Sequence, residues 1–211
     1  MSEQLDLKGL EKRAWRSAFQ DGIWDIYLGL LFIGLAIAPF GDAFGLPAEL
    51  GSMIIVICCN SIAVLFLILG KKFITIPRIG FVKFGAKRKK TKKRLLAFLI
   101  FNVFLAFLLL FVNISGFFEL LNIGGLTEPL VIGLLLITVP LSVLAYFLEF
   151  HRLYIYAIYF GLGFFISELL YPFVGSPFDL FLSQGLVAIV IISIGLVYFI
   201  RFLRKYPSSK K

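Results

Sequence analysis

The sequence has few of the residues that most often build catalytic and metal sites. It contains one histidine, His151, and two cysteines, which are neighbours at Cys58 and Cys59. A structural or catalytic metal ion needs several such ligands, so no metal site is predicted. Motifs for a nucleophile elbow, a zinc-binding helix or a phosphate loop are also absent. The sequence therefore predicts no cofactor and disfavours catalysis, while a lipid-modifying enzyme that uses scattered carboxylates stays open.

Charged residues are scarce as well. Only 16% of the 211 residues are charged, whereas 60% are hydrophobic and 25 are phenylalanine. Apolar runs of the length that crosses a bilayer, about 20 residues, recur along the chain. Only helices and closed barrels satisfy their backbone hydrogen bonds within lipid. These features exclude an ordinary soluble domain and predict an all-α, multi-pass protein of the cell membrane.

The apolar runs predict six transmembrane helices, at about 23–40, 50–70, 95–112, 129–150, 153–171 and 180–200. Together they form a membrane domain over residues 23–200, with a basic loop at 71–94 and a basic tail at 201–211. Residues 1–22 show apolar residues at three- and four-residue steps among basic ones, which is typical of an amphipathic helix. This helix would lie in the headgroup layer or pack on the inner ends of the spans.

Every second connection between the predicted transmembrane helices contains no lysine or arginine. The N-terminal segment, the loop at 71–94, the turn at Arg152 and the tail carry four, eleven, one and five of them, which accounts for all 21 lysines and arginines. Basic residues concentrate in cytoplasmic segments of membrane proteins. We therefore expect six spans with both termini in the cytoplasm.

The loop at 71–94 has two different halves. Residues 73–84 are rich in β-branched and aromatic side chains around Pro77, which predicts a small hairpin or a re-entrant segment at the interface. The second half is expected to contact anionic lipid headgroups through seven basic residues. They are Lys87, Arg88, Lys89, Lys90, Lys92, Lys93 and Arg94. No aromatic residue interrupts this run, so nucleic acid is not the expected partner.

Several polar residues lie inside the predicted spans, where an ionisable group is costly unless it is paired or hydrated. Glu168 would bind a cation or a proton, or would reach the outer headgroups, or would be protonated. Asn60, Asn102 and Gln184 would either bond one helix to another or line a shared polar path with Glu168. Asp25 would form an ion pair with a residue such as Arg78 or Arg152, or would contact a substrate.

The predicted outer side carries acidic residues and no basic ones. Such a rim attracts cations by electrostatic focusing. Its members are Asp42, Glu49, Glu119, Glu128, Glu168 and Asp179.

Two functions follow from these patterns. The first is a membrane protein that binds or transports a small solute or cation, alone, as a homo-oligomer or with a partner subunit. The alternative is a membrane scaffold or accessory subunit that acts through its basic cytoplasmic face.

Overall fold

The computed structural model describes residues 19–45, 47–79 and 127–207, together with residues 93, 97 and 100. Within these ranges the secondary structure consists of helices joined by short turns, with no β-strand. The helices are α1 (Ile23–Ile37), α2 (Ala48–Gly70), α3 (Ile76–Ile79), α4 (Thr127–Ile132), α5 (Val139–Leu148), α6 (Arg152–Val174) and α7 (Phe178–Lys205). A 3-10 helix, Ala38–Phe44, extends α1. Two π-helical segments, Lys71–Thr75 and Gly133–Thr138, connect α2 to α3 and α4 to α5.

Five helical stretches of the described chain are long and apolar enough to cross a membrane. They are Ile23–Gly41, Leu50–Arg78, Pro129–Leu148, Arg152–Val174 and Phe178–Lys205. These stretches overlap the first, second, fourth, fifth and sixth predicted spans. The third predicted span, 95–112, lies outside the described residues except at 97 and 100, and the predicted amphipathic helix lies outside them up to residue 18. The described chain is therefore all-α, as predicted, and compatible with a membrane protein.

The long helices pack in the order α2, α1, α7, α6, α5. Half of the residues in the apolar stretch of α1 are buried, whereas only 11% are buried in that of α2. Among the packed helices, α1 therefore lies in the interior and α2 at the edge. Phe32 of α1 stacks on Phe160 of α6 with 3.8 Å between ring centroids. At the far end of α1, Phe40 contacts the rings of Phe178 and Phe181 at the start of α7.

Residues 71–79 correct one sequence-based prediction. We expected a loop from residue 71 and a hairpin or re-entrant segment from residue 73, but the chain continues as helix through Ile79. Pro77 lies within this continuous helix, and the regular α-helical bonding gives way to the π-helical segment Lys71–Thr75 just before it, as expected near a residue that lacks an N–H donor. The π-helical segment places Lys71 and Thr75 against the start of α1. These tertiary contacts outweigh the β-propensity of the local sequence.

Two other breaks agree with the sequence. The turn predicted at Arg152 is present between α5 and α6, and Glu149, directly after the last residue of α5, has a left-handed conformation with φ 55°. The π-helical segment Gly133–Thr138 ends just before Pro140. Proline lacks an N–H donor, so a departure from regular α-helix at this point is expected.

Candidate functional site at the basic end of the helices

The start of α1, the end of α2, the start of α6 and the end of α7 meet at one end of the helices. Within the described part of these helices, every lysine and arginine lies there. They are Lys71, Lys72, Arg78, Arg152, Arg201, Arg204 and Lys205. We call this the basic end.

Gly22 sets the position of α1 at the basic end. Its φ of 77° lies in the left-handed region, where glycine is favoured because it has no Cβ. A Cβ built on Gly22 would lie 2.2 Å from the carbonyl oxygen of Gly195 in α7. Both the turn and the close approach of α1 to α7 therefore require glycine.

Asp21 is fully buried just before this turn. Its Oδ2 accepts hydrogen bonds from Lys71 Nζ at 2.6 Å and from Thr75 Oγ1 at 2.5 Å. Its Oδ1 accepts one from the backbone N–H of Ile23 at 3.2 Å. Lys71 and Thr75 are four residues apart, so both side chains lie on one face of the π-helical segment. The contacts join the start of α1 to the end of α2.

Asp25 is also fully buried and is bound in a similar way by α6. Its Oδ2 accepts a hydrogen bond from Arg152 Nη2 at 2.8 Å, and its Oδ1 accepts one from the Tyr156 hydroxyl at 2.7 Å. Arg152 and Tyr156 are again four residues apart. The structural ion pair that we predicted for Asp25 is present with Arg152.

Arg152 connects three further groups. Its Nη2 also donates to the carbonyl oxygen of Phe19 at 3.0 Å. The guanidinium lies 3.7 Å from the ring centroid of Tyr198 in α7 and 5.1 Å from that of Phe150. Guanidinium groups are attracted to aromatic faces at these distances. A single side chain therefore ties α1, α6 and α7 together.

Asp21 and Asp25 are not free carboxylates, because each is buried between helices and paired with a cation. A buried charge is expensive unless a partner and hydrogen bonds satisfy it. Both conditions hold for Asp21 and Asp25, so their role in the structure is to hold helices together.

A basic pocket lies on the surface beside this network, between the starts of α1 and α6 and the end of α7. Its volume is about 280 Å³. Besides Gln20, it is lined by Arg152, Tyr198, Arg201, Phe202, Lys205 and Tyr206. No carboxylate is among the lining residues, and among the described residues no acidic side chain pairs with Arg201 or Lys205. The pocket is thus suited to an anionic group.

A cavity and a groove continue from the basic pocket along α6 and α7. The middle cavity, of about 540 Å³, shares Arg152, Tyr198 and Arg201 with the pocket. The apolar groove, of about 270 Å³, shares Ile155, Tyr156 and Ile194 with the middle cavity. Its further lining includes Tyr159, Leu186, Val187 and Val190. One depression therefore changes from basic to apolar along its length.

The structure does not bring the predicted ligand-binding residues together in one enclosed cavity. Asn60 in α2 and Glu168 in α6 are exposed. Gln184 in α7 is fully buried, where its Nε2 lies 3.4 Å from the carbonyl oxygen of Phe160 and its Oε1 has no hydrogen-bond partner among the described residues. Asp25 belongs to the ion-pair network, and Asn102 lies outside the described residues.

The predicted lipid-contacting residues fall almost wholly outside the described chain. Lys93 is described and is exposed. The other six, Lys87, Arg88, Lys89, Lys90, Lys92 and Arg94, are not described. Of the outer acidic side chains, those of Glu168 and Asp179 are described. In the described ranges, no group of three or more His, Cys, Asp or Glu side chains is placed to hold a metal ion.

Sequence reasoning missed the pairing of Asp21 with Lys71 and the depression between α6 and α7. The first depends on the helix continuing past Gly70. The second is lined by ordinary aliphatic and aromatic residues, and only the spacing of Arg201 and Lys205, one turn apart at the end of α7, gives a signal. Comparison with known proteins adds no assignment: no family model, curated protein or solved structure matches this chain. The function must be argued from the geometry of the basic end.

Proposed function

We propose that this chain is a multi-pass membrane protein whose basic end faces the cytoplasm and binds anionic, phosphate-bearing lipid headgroups. Its role would be that of a membrane scaffold or accessory subunit acting through this face. The observation that carries the proposal is the basic pocket, where Arg201 and Lys205 line a depression that has no carboxylate among its described lining residues. Arginine and lysine are the side chains that proteins use most for phosphate groups.

The orientation is supported by the positions of the cations. All described lysines and arginines of the long helices lie at one end, as the positive-inside rule requires of a cytoplasmic face. The hydrogen bond of Lys71 to Asp21 brings the end of α2 to this face. Leu148, the last residue of α5, lies there too, because the turn that follows it leads into the start of α6. Since Pro129 then lies at the opposite end, the proposed orientation calls for one further crossing between residues 79 and 127. The third predicted span, 95–112, would supply this crossing.

Aromatic residues around the pocket suit a membrane interface. Tyr198 and Tyr206 line it together with the cations, and Tyr206 contacts Phe202 with ring centroids 5.3 Å apart. Tyrosine is enriched where one end of a side chain is apolar and the other is hydrated. This composition supports a position of the pocket at headgroup level. The basic run from Lys87 to Arg94, which also belongs to the cytoplasmic side in this topology, would add to the attraction of anionic lipid.

The transport hypothesis receives less support from the described residues. It required Glu168 and the polar residues of the spans to line a common path. Instead Glu168 and Asn60 are exposed and Gln184 is enclosed between α6 and α7. The basic pocket, by contrast, brings several cations to one accessible place.

Thermal unfolding in nanodiscs tests the proposal. A ligand that binds only the folded state raises the midpoint. We expect discs of phosphatidylcholine with phosphatidylglycerol to stabilise the protein more than discs of phosphatidylcholine alone. The difference should shrink when Arg201 and Lys205 are both changed to glutamine. Arg204→Gln is the matched control, because Arg204 lies in the same helical turn but does not line the pocket. If Arg204→Gln reduced the difference between the two kinds of disc as much as the double change does, a role for the pocket would be refuted.

A further inference from the structure

We infer that the ligand is a whole phospholipid, with its phosphate in the basic pocket and an acyl chain in the apolar groove between α6 and α7. This inference rests on the proposed function and specifies its ligand. It starts from the continuity of the depression. Arg152, Tyr198 and Arg201 are common to the basic pocket and the middle cavity, and Ile155, Tyr156 and Ile194 are common to the middle cavity and the groove.

The length of the depression matches one leaflet of a bilayer. From Leu186, at the apolar end, to Arg201 the α7 wall measures about 22 Å at 1.5 Å per residue, and Lys205 lies one further turn toward the headgroup side. A bilayer with its headgroup regions is about 40–45 Å thick, so one leaflet takes about 20–22 Å. A lipid whose phosphate meets Arg201 would therefore extend its chain alongside Val190 and reach Leu186 near the middle of the bilayer.

The chemistry changes along the depression in the same order as along a phospholipid. Arg201 and Lys205 lie at the headgroup end. Tyr198 and Tyr156 come next, at the depth of the polar backbone of the lipid. Beyond them the wall is formed by Ile194, Val190 and Leu186. A soluble anion would occupy only the basic end of the depression and would leave the apolar groove without a role.

The groove also opens toward the surrounding lipid. The exposed fractions of Ile155 and Tyr159 on α6 are 55% and 56%, and those of Leu186 and Val190 on α7 are 62% and 58%. A chain can therefore enter sideways from the bilayer, without any opening movement of the helices. Charge complementarity then selects the occupant, because the groove by itself would accept any acyl chain and only the basic pocket distinguishes anionic from zwitterionic headgroups.

Photocrosslinking from within the groove tests this inference. The photoreactive residue p-benzoylphenylalanine replaces Val190, and the protein is placed in nanodiscs with equal amounts of phosphatidylglycerol and phosphatidylcholine. We expect crosslinks to phosphatidylglycerol to exceed the bulk ratio by roughly threefold, since two partly exposed cations contribute modestly. The same substitution at Ile155, on the opposite wall, should show the same preference. At Ile189, which is exposed on α7 but does not line the groove, crosslinks should follow the bulk ratio.

The outcomes separate the inference from the proposed function. If the preference at Val190 is lost in the Arg201→Gln/Lys205→Gln protein and kept in Arg204→Gln, a lipid spans pocket and groove. If Val190 and Ile155 label both lipids in the bulk ratio while phosphatidylglycerol still stabilises the protein through Arg201 and Lys205, the headgroup site stands and the acyl-chain site is wrong. If neither labelling nor stabilisation depends on Arg201 and Lys205, both are wrong.

Discussion

The carboxylate of Asp25 lies 2.8 Å from the guanidinium of Arg152, a residue 127 positions further along the chain. The pair joins the first long helix to the fifth apolar stretch that the sequence predicts. The side chain of Asp25 is fully buried, and removing it leaves Tyr156 without this acceptor and Arg152 without a carboxylate to balance its charge. The ion pair should therefore matter more to stability than a surface pair would.

Asp25→Ala is expected to lower the free energy of unfolding by about 2–4 kcal/mol, because it strands a partly buried cation. Asp25→Ala combined with Arg152→Gln should cost less than the two single changes together, since no lone charge remains. Denaturant titration of the purified protein measures both. Asp179→Ala, which removes a carboxylate from the first turn of α7, is the control and should cost at most about 1 kcal/mol. Full additivity of the double variant would contradict a direct interaction.

Thr75→Val is expected to destabilise the protein by about 1–2 kcal/mol, since it keeps the side-chain shape but removes a buried hydrogen-bond donor to Asp21. Thr75→Ser retains the hydroxyl and should stay close to the wild type in the same titration. If both variants behaved alike, the hydroxyl would have no part in holding α1 to the end of α2.

Gly22→Ala should cost about 2–4 kcal/mol, because it combines a left-handed backbone with a clash against the carbonyl of Gly195. Gly45→Ala isolates the first effect. Gly45 has a similar φ of 72° but nothing within 4 Å of the added Cβ, so only the backbone cost of about 1 kcal/mol is expected. Equal losses at the two glycines, measured by thermal unfolding, would mean that α1 and α7 are not in close contact.

The proposed topology predicts opposite labelling of two exposed turns. In a background with Cys58 and Cys59 changed to alanine, Ser176→Cys lies between α6 and α7, and His151→Cys lies between α5 and α6. A membrane-impermeant maleimide added to intact cells should label Ser176→Cys, and should label His151→Cys only after permeabilisation. Labelling of His151→Cys in intact cells would reverse the orientation.

The sequence predicted the five long apolar helices of the described chain, but not which face of each helix is buried. The apolar runs predicted where α1 begins, and the cost of an unpaired charge inside a span predicted that Asp25 would form an ion pair or contact a substrate. The sequence could not predict which face of α2 packs against the other helices, because α2 carries apolar side chains on all sides. Nothing in the sequence marks Asn60 as exposed. The groove could not be predicted either, since Val190 inside it and Ile189 outside it are similar side chains on one helix.

Lipid retention in native mass spectrometry is the most direct test of anionic-lipid binding at the basic pocket. The protein is released from mixed micelles that contain phosphatidylglycerol and phosphatidylcholine, and the masses of bound lipids are read for three proteins. We expect the wild type and Arg204→Gln to retain phosphatidylglycerol preferentially, and Arg201→Gln/Lys205→Gln to lose that preference. The same phosphatidylglycerol retention in all three proteins would contradict binding at this pocket.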